Sequence, residues 1–275
     1  MTLASLPWLL PLIALLAAGL FAGFTAGLFG VGGGFVVVPA LVIVLPLLGG
    51  SKEAMTHVAI GTSAATIIVT SIRSLRSHAK RGAVEWEVLK TWAPWITGGC
   101  VIGVLLASHV DGHVLKLIFA TGVALMSLNF ILPRMEKVLS ENMPGGLPRA
   151  AIAGGLGTFS ALLGIGGGTI AIMVMTLCGR TIHRAIATAS GIGTLIAIPT
   201  TLGFAIIGFG EAGLPWGSLG YINVPATVAI ASMSLITAPL GVAAAHSLPA
   251  KPLKRVFGAY LVVIAAFMFK NALKI

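Results

Sequence analysis

Two glycine-rich stretches of the chain repeat one another: Gly30-Val31-Gly32-Gly33-Gly34 and, 134 positions later, Gly164-Ile165-Gly166-Gly167-Gly168. Each lies between two apolar runs. Glycine has no Cβ and adopts positive φ angles, so the backbone can turn sharply there. Inside a lipid bilayer, irregular backbone is tolerated only where it is buried in protein or lines a wet cavity. The repeated turn therefore predicts broken or re-entrant helices at equivalent places in two halves.

The composition is that of a membrane protein. Of the 275 residues, 57% are hydrophobic and only 9% are charged, and the mean hydropathy is +1.05. A soluble domain needs many more charged residues to cover its exterior. Apolar runs of about 20 residues, the length that crosses the hydrocarbon core as a helix, recur along the chain. We therefore predict an all-α polytopic membrane protein that sits in the lipid bilayer.

The apolar segments number five in each half. They cover 6–29, 33–48, 54–75, 88–108 and 113–133, then 148–163, 168–178, 184–208, 218–246 and 253–270. We predict a first membrane repeat at 1–133, a cytoplasmic linker at 134–147 and a second membrane repeat at 148–275. Because five is an odd number, the second repeat is expected to be inverted relative to the first. Segments 148–163 and 168–178 are too short to cross upright and predict a re-entrant hairpin, with its glycine turn near the midplane; the first-half hairpin is either re-entrant or fully spanning.

The net charge of +10 is explained by topology. The basic residues cluster in short loops, for example between Arg73 and Arg81, and such loops favour the cytoplasmic side. Placing them there puts both termini outside and the loop at 209–217, which carries Glu211, outside as well. No interleaving of aromatic and basic residues of the kind that binds nucleic acid is present, so nucleic acid is not expected as a partner.

The positions of the acidic residues and the cysteines limit the charge of the expected cargo and the kinds of chemistry expected. All seven acids fall in or beside predicted loops, whereas cation sites within membranes usually need buried carboxylates. A neutral or anionic cargo is favoured. Cys100 and Cys178 form no C-x-x-C pair, so no metal and no cofactor are predicted. No catalytic Ser/His/Asp set or phosphate-binding loop is recognisable, and an enzyme is not expected.

The glycine turns themselves are the candidate binding site. A helix begins after each turn, and the first amides of a helix lack internal partners and carry the positive end of the helix dipole. Two such ends facing one volume would bind an anion without a buried cation. The alternative is that the glycines only permit close helix packing. The predicted substrate-binding residues here are Gly32, Gly33, Gly34, Phe35, Gly166, Gly167, Gly168 and Thr169.

The third segment of each half adds hydroxyl groups. Thr62, Thr66, Thr70 and Ser74 recur at every fourth residue, which places them on one helix face. An offset of 127 relates Thr62-Ser63 to Ala189-Ser190, so we add Thr62, Ser63, Ser190 and Gly191 to the predicted site. The alternative for these hydroxyls is hydrogen bonding to backbone carbonyls or neighbouring helices.

Several stretches resemble the TauE/SafE family of membrane anion permeases, also called the sulfite exporter family. The resemblance covers nearly the whole chain and rests on Gly23 to Pro39, Ala59 to Ser63, His78 to Trp86, Gly154 to Gly168, Pro239 to His246 and Leu253 to Phe257. It implies transport of small sulfur-containing or carboxylate anions, such as sulfite, thiosulfate, sulfoacetate or sulfonates, across the cytoplasmic (inner) membrane. A passive anion channel of the same architecture is the alternative.

Overall fold

The computed structural model describes residues 8–51, 53–131, 140, 142–247 and 249–273, without the side chains of 129–131, 250–254, 256 and 257. This part of the chain is mostly helical. Its helices are α1 (Leu9–Phe29), α2 (Gly34–Val44), α3 (Met55–Ala79), α4 (Trp86–Ala107), α5 (Gly112–Ile131), α6 (Gly146–Leu163), α7 (Gly168–Leu177), α8 (Ile182–Ile207), α9 (Val224–Ser247) and α10 (Ala250–Leu273). A 3-10 turn at Leu45–Leu48 follows α2, and a small antiparallel hairpin of β1 (Ser218–Leu219) and β2 (Ile222–Asn223) precedes α9.

Every predicted apolar segment contains one α-helix, which confirms a mainly helical polytopic membrane protein. One boundary was wrong: the segment predicted from 218 becomes helical only at Val224. The side-chain oxygen of Asn223 accepts a hydrogen bond from the amide of Ala226, which caps α9. Gly217 and Gly220, at positive φ, turn the preceding chain into the hairpin. Half of the predicted linker at 134–147 lies outside the described residues, and α6 begins within it at Gly146.

Five of the described helices, α1, α3, α4, α8 and α9, are long and apolar enough to cross a membrane. The helix that follows each glycine turn is much shorter. With a rise of about 1.5 Å per residue, the 10 residues of α7 extend about 15 Å, which is half of the hydrocarbon thickness. The 11 residues of α2 are extended by the 3-10 turn. Each glycine turn therefore joins a longer helix to a shorter one.

The helices pack in pairs that join the two halves. α1 packs along α9, α4 along α6, α3 along α8 and α5 along α10. Small residues make these contacts close, as is usual between helices in membranes. Gly23 of α1 lies against Ser234 of α9, and Gly157 of α6 lies against Ile96 of α4.

A second pair of contacts joins the same helices. Gly241 of α9 lies against the carbonyl of Phe24, and Gly103 of α4 lies against the carbonyl of Thr158. Adding 134 to a residue number on α1 gives the equivalent residue on α6, and adding 138 to a number on α4 gives the equivalent residue on α9. Each of these contacts between α1 and α9 therefore has its counterpart between α6 and α4. The interface between α1 and α9 thus has the same residue register as the interface between α6 and α4.

Candidate functional site

The two glycine turns are built in the same way. The first helix of each pair ends at a left-handed glycine, Gly30 (φ 66°) or Gly164 (φ 62°). The second helix begins after another left-handed glycine, Gly33 (φ 81°) or Gly167 (φ 62°). Residues with a Cβ rarely adopt this conformation, so glycine is required at these four positions.

The two turns lie in direct contact. A Cβ placed on Gly34 would lie 2.6 Å from the carbonyl oxygen of Gly164, and one placed on Gly166 would lie 2.8 Å from that of Val31. A Cβ placed on Gly168 would likewise meet the carbonyl oxygen of Gly30. Every residue of both turns is buried. Close packing therefore accounts for Gly34, Gly166 and Gly168, whose missing side chains let the two backbones meet.

This contact lies beside the middle of the two longest helices. Ile67, at the centre of α3, packs against Gly32 and Gly34 of the first turn. Gly193 and Ile196, near the centre of α8, lie against Gly166 and Gly167 of the second turn. The two turns thus meet halfway along the helices that cross the molecule.

Two carbonyl groups of the turns have partners on α3. The hydroxyl of Ser63 donates to the carbonyl of Gly164 at 2.8 Å, and the hydroxyl of Thr70 donates to the carbonyl of Gly32 at 2.9 Å. These hydroxyls therefore satisfy acceptors of the turns. The carbonyls of Gly33 and Gly167 accept bonds from the first turns of α2 and α7.

The amide groups of the turns are the next feature of the contact. Within the described residues, no acceptor bonds to the amides of Gly32, Gly33, Gly34, Gly166, Gly167, Gly168 and Thr169. Buried backbone donors are nearly always paired. The dipoles of α2 and α7 also place their positive ends here, so this group of amides can bind a hydrogen-bond acceptor of negative charge.

The other predicted hydroxyls already have protein partners. The Thr62 hydroxyl accepts a bond from the amide of Asn223 at 2.9 Å. The Ser190 hydroxyl lies 3.1 Å from that of Ser74 and donates to the carbonyl of Ile186. The Thr169 hydroxyl donates to Sδ of Met126. These side chains fix neighbouring helices in the described conformation.

Two further predicted residues can be placed. Phe35 is buried in the first turn of α2, and its carbonyl accepts a bond from the Tyr260 hydroxyl at 3.1 Å. Gly191 packs against the side chains of Leu89 and Leu75. Gly191 thus contacts the α3–α4 side of α8 rather than the glycine turns.

Sequence reasoning missed two serines beside the turns. Ser71 of α3 and Ser160 of α6 are completely buried, and their hydroxyls have no hydrogen-bond partner among the described residues. Ser71 lies next to the predicted hydroxyl face, beside Thr70. Ser160 lies four residues before Gly164, and no pattern in the sequence marks it.

Ionisable side chains meet at one end of the molecule. Glu85, just before α4, pairs with Arg180, between α7 and α8, at 3.1 Å, and its amide binds the Thr188 hydroxyl. In the last turns of α3 and α9, Nδ1 of His78 and Nε2 of His246 are 3.3 Å apart. These contacts bring together loops that carry much of the basic charge. Within the described residues, no group of three or more His, Cys, Asp or Glu side chains could hold a metal ion.

Comparisons with known proteins identify relatives that match most of the chain. A family model described as sulfite exporter TauE/SafE matches residues 15–268. A probable membrane transporter protein of Haemophilus influenzae is 35% identical over 257 residues, covering 92% of this chain and 96% of the relative. Another, from Methanocaldococcus jannaschii, is 26% identical over 269 residues, covering 94% and 95%. No solved structure matches the chain.

Proposed function

The chain belongs to the sulfite exporter TauE/SafE family of membrane transporters, and on that premise we propose that it is a secondary transporter of small anions. Its cargo is a sulfur-containing or carboxylate anion such as sulfite, thiosulfate, sulfoacetate or a sulfonate. It acts as a permease in the cytoplasmic membrane, which is the inner membrane of cells that have two. It carries out no chemical reaction on the cargo.

One observation carries this proposal: two buried helix starts lie at one contact between the halves, and their amides have no protein partner among the described residues. Ser63 and Thr70 satisfy the carbonyls of Gly164 and Gly32. The amides around Gly166 and Gly167 have no protein partner among the described residues. An oxyanion supplies the missing acceptors and interacts favourably with both helix dipoles. A cation would gain nothing from these donors.

We also propose that the fold is an inverted repeat with the two turns near the bilayer midplane. The equivalent registers of the α1–α9 and α6–α4 interfaces support it, because an internal two-fold axis relates such pairs. The clustering of basic loops at the end that holds Glu85 and Arg180 supports a cytoplasmic position for that end. Both termini then lie outside.

A carrier is favoured over a channel because the contact between the turns is closed. Every residue from Gly30 to Gly34 and from Gly164 to Gly168 is buried. A passive channel of the same architecture would need a continuous wet path beside these turns. Transport through the closed contact requires movement, either of one half against the other or of a helix hairpin. An anion bound beside the contact of the turns would then be exposed alternately to the two sides.

Counterflow in proteoliposomes tests this function. Vesicles containing the purified protein are loaded with unlabelled sulfite, and uptake of labelled sulfite is followed against protein-free vesicles. A carrier gives a transient overshoot and a rate that saturates with concentration. A rate that rises linearly and shows no overshoot would identify a channel. Absence of flux for sulfite, thiosulfate, sulfonates and carboxylates would overturn the proposal.

A further inference from the structure

We propose that Ser71 and Ser160 are the side-chain donors that bind and orient the oxyanion at the glycine turns. This inference rests on the proposed function and identifies residues of that same site. Ser63, Ser190, Thr62 and Thr169 have protein partners in the described conformation. Ser71 and Ser160 have none among the described residues.

Ser71 lies where the first turn, α3 and α8 come together. A Cβ placed on Gly32 would lie 3.1 Å from its hydroxyl oxygen, and one placed on Gly193 would lie 2.7 Å from it. Gly193 in turn lies against Gly166 of the second turn. The Ser71 hydroxyl therefore lies against Gly32 of the first turn, and Gly193 lies between it and Gly166 of the second turn.

Ser160 approaches the second turn from α6. A Cβ placed on Gly167 would lie 2.7 Å from its hydroxyl oxygen, and Ile196 of α8 contacts the same glycine. Gly193 and Ile196 are three residues apart on α8, which is about 4.5 Å along the helix. Ser71 thus reaches Gly193, which lies against Gly166, and Ser160 reaches Gly167, so both serines approach the second turn beside one short stretch of α8.

Their unpaired state is unusual for buried serines in helices. Such hydroxyls commonly donate to the carbonyl four residues earlier, as Thr70 does to Thr66 and Ser190 does to Ile186. Neither Ser71 nor Ser160 makes this bond. A buried hydroxyl without a partner destabilises a protein, so a ligand that accepts its hydrogen bond accounts for its presence.

The arrangement favours a pyramidal or tetrahedral oxyanion. Amides of two turns and hydroxyls of two further helices lie around the same contact. The three oxygens of a sulfite or sulfonate group accept hydrogen bonds in three directions, whereas the two oxygens of a carboxylate lie in one plane. Ser71 belongs to the first half and Ser160 to the second. A bound sulfo group would therefore be held by both halves at once.

Ser71→Ala and Ser160→Ala test the inference in the full-length protein. Thr56→Val is the matched control, because Thr56 is also buried and unpaired on α3 but lies at its far end, beside Gly112. Two quantities are measured by thermal unfolding in detergent: the midpoint without anion, and the apparent Kd for sulfite and for acetate.

Each serine variant is expected to unfold at or above the wild-type midpoint without anion, because an unpaired hydroxyl has been removed. The Kd for sulfite should rise about tenfold, the equivalent of about 1.4 kcal/mol, with a smaller effect on acetate. Thr56→Val should leave both Kd values unchanged. Ser71→Cys and Ser160→Cys, which retain the size and only a weak donor, should also weaken sulfite binding.

The outcomes separate this inference from the proposed function. If the wild-type protein binds and transports none of the anions, the function itself fails. If the wild-type protein binds sulfite and the serine variants bind it equally well, only the assignment of Ser71 and Ser160 is overturned. A lowered midpoint without anion, with an unchanged Kd, would give the serines a packing role and overturn the assignment as well.

Discussion

A single methyl group at the contact between the turns should impair transport strongly. In Gly34→Ala the new Cβ would lie 2.6 Å from the carbonyl oxygen of Gly164 and 2.9 Å from Cα of Ile165. Both neighbours are backbone atoms and cannot rotate away. Gly34 has an ordinary helical φ, so the substitution adds volume without forcing the local backbone into a strained conformation.

The size of the perturbation follows from these distances. Ordinary contact begins near 3.4 Å, so the turns must separate by about 0.8 Å to relieve the overlap. Overpacking of this kind typically costs about 1–3 kcal/mol. Displacements near 1 Å can reduce the rate of a geometrically demanding process about 100-fold. We therefore expect at least a tenfold loss of sulfite flux, with modest loss of thermal stability.

Counterflow in proteoliposomes, normalised to the amount of inserted protein, measures this effect. Gly155→Ala is the matched control, because nothing lies within 4 Å of a Cβ at that position on α6. The control should transport normally and be slightly stabilised by the better helix former. Wild-type flux in Gly34→Ala would refute the argument that the geometry of the turn contact governs transport.

Three further predictions concern topology, the ion pair and helix packing. In a variant lacking both native cysteines, Trp216→Cys should react with an impermeant maleimide added to intact cells, and protection from it would contradict the proposed orientation. Glu85→Gln and Arg180→Gln should each destabilise by roughly 1 kcal/mol, as expected for a partly exposed pair. The double variant should lose less than the sum, and additive losses in a double-mutant cycle would deny coupling. Gly103→Ala, whose Cβ would lie 2.5 Å from a carbonyl oxygen of α6, should lower the unfolding midpoint more than Gly98→Ala, which meets nothing, and equal midpoints would contradict the packing.

The helices and the glycine turns could be predicted from the sequence because both depend on local chemistry. Apolar runs of membrane-spanning length become helices since lipid offers the backbone no other partner. Glycine clusters mark the breaks since only glycine adopts φ near 60–80° at low cost. The hairpin before α9 was missed because its residues are apolar enough to extend the helix pattern. Asn223, whose side chain caps α9, was the signal against helix there.

The partners of the hydroxyls could not be predicted in the same way. Ser63 and Gly164 are 101 residues apart, and Thr62 and Asn223 are 161 residues apart. Their hydrogen bonds exist only after the two halves pack together. The four-residue spacing of hydroxyls on α3 predicts a shared face but not what that face contacts. Ser71 lies just beside that face, and its proximity to Gly32 and Gly193 is a property of the packed structure.

The contacts between histidines also could not be predicted from the sequence. His78, His183 and His246 each lie near the end of a predicted segment, where a single histidine has no obvious meaning. In the folded chain the rings of His183 and His246 stack with centroids 5.6 Å apart, and His78 shares a hydrogen bond with His246. The topology predicted from basic loops places all three at the same end. The contacts between these three rings can be identified only from the tertiary structure.

The most direct test of the central claim is to locate the anion. Selenite has the shape and charge of sulfite, and its selenium atom can be located by anomalous diffraction from crystals of the protein grown with it. We predict one strong anomalous peak beside the contact of the turns, with selenite oxygens within hydrogen-bonding distance of the amides of Gly166 to Thr169. A fully occupied peak elsewhere, with no density beside this contact, would contradict the account.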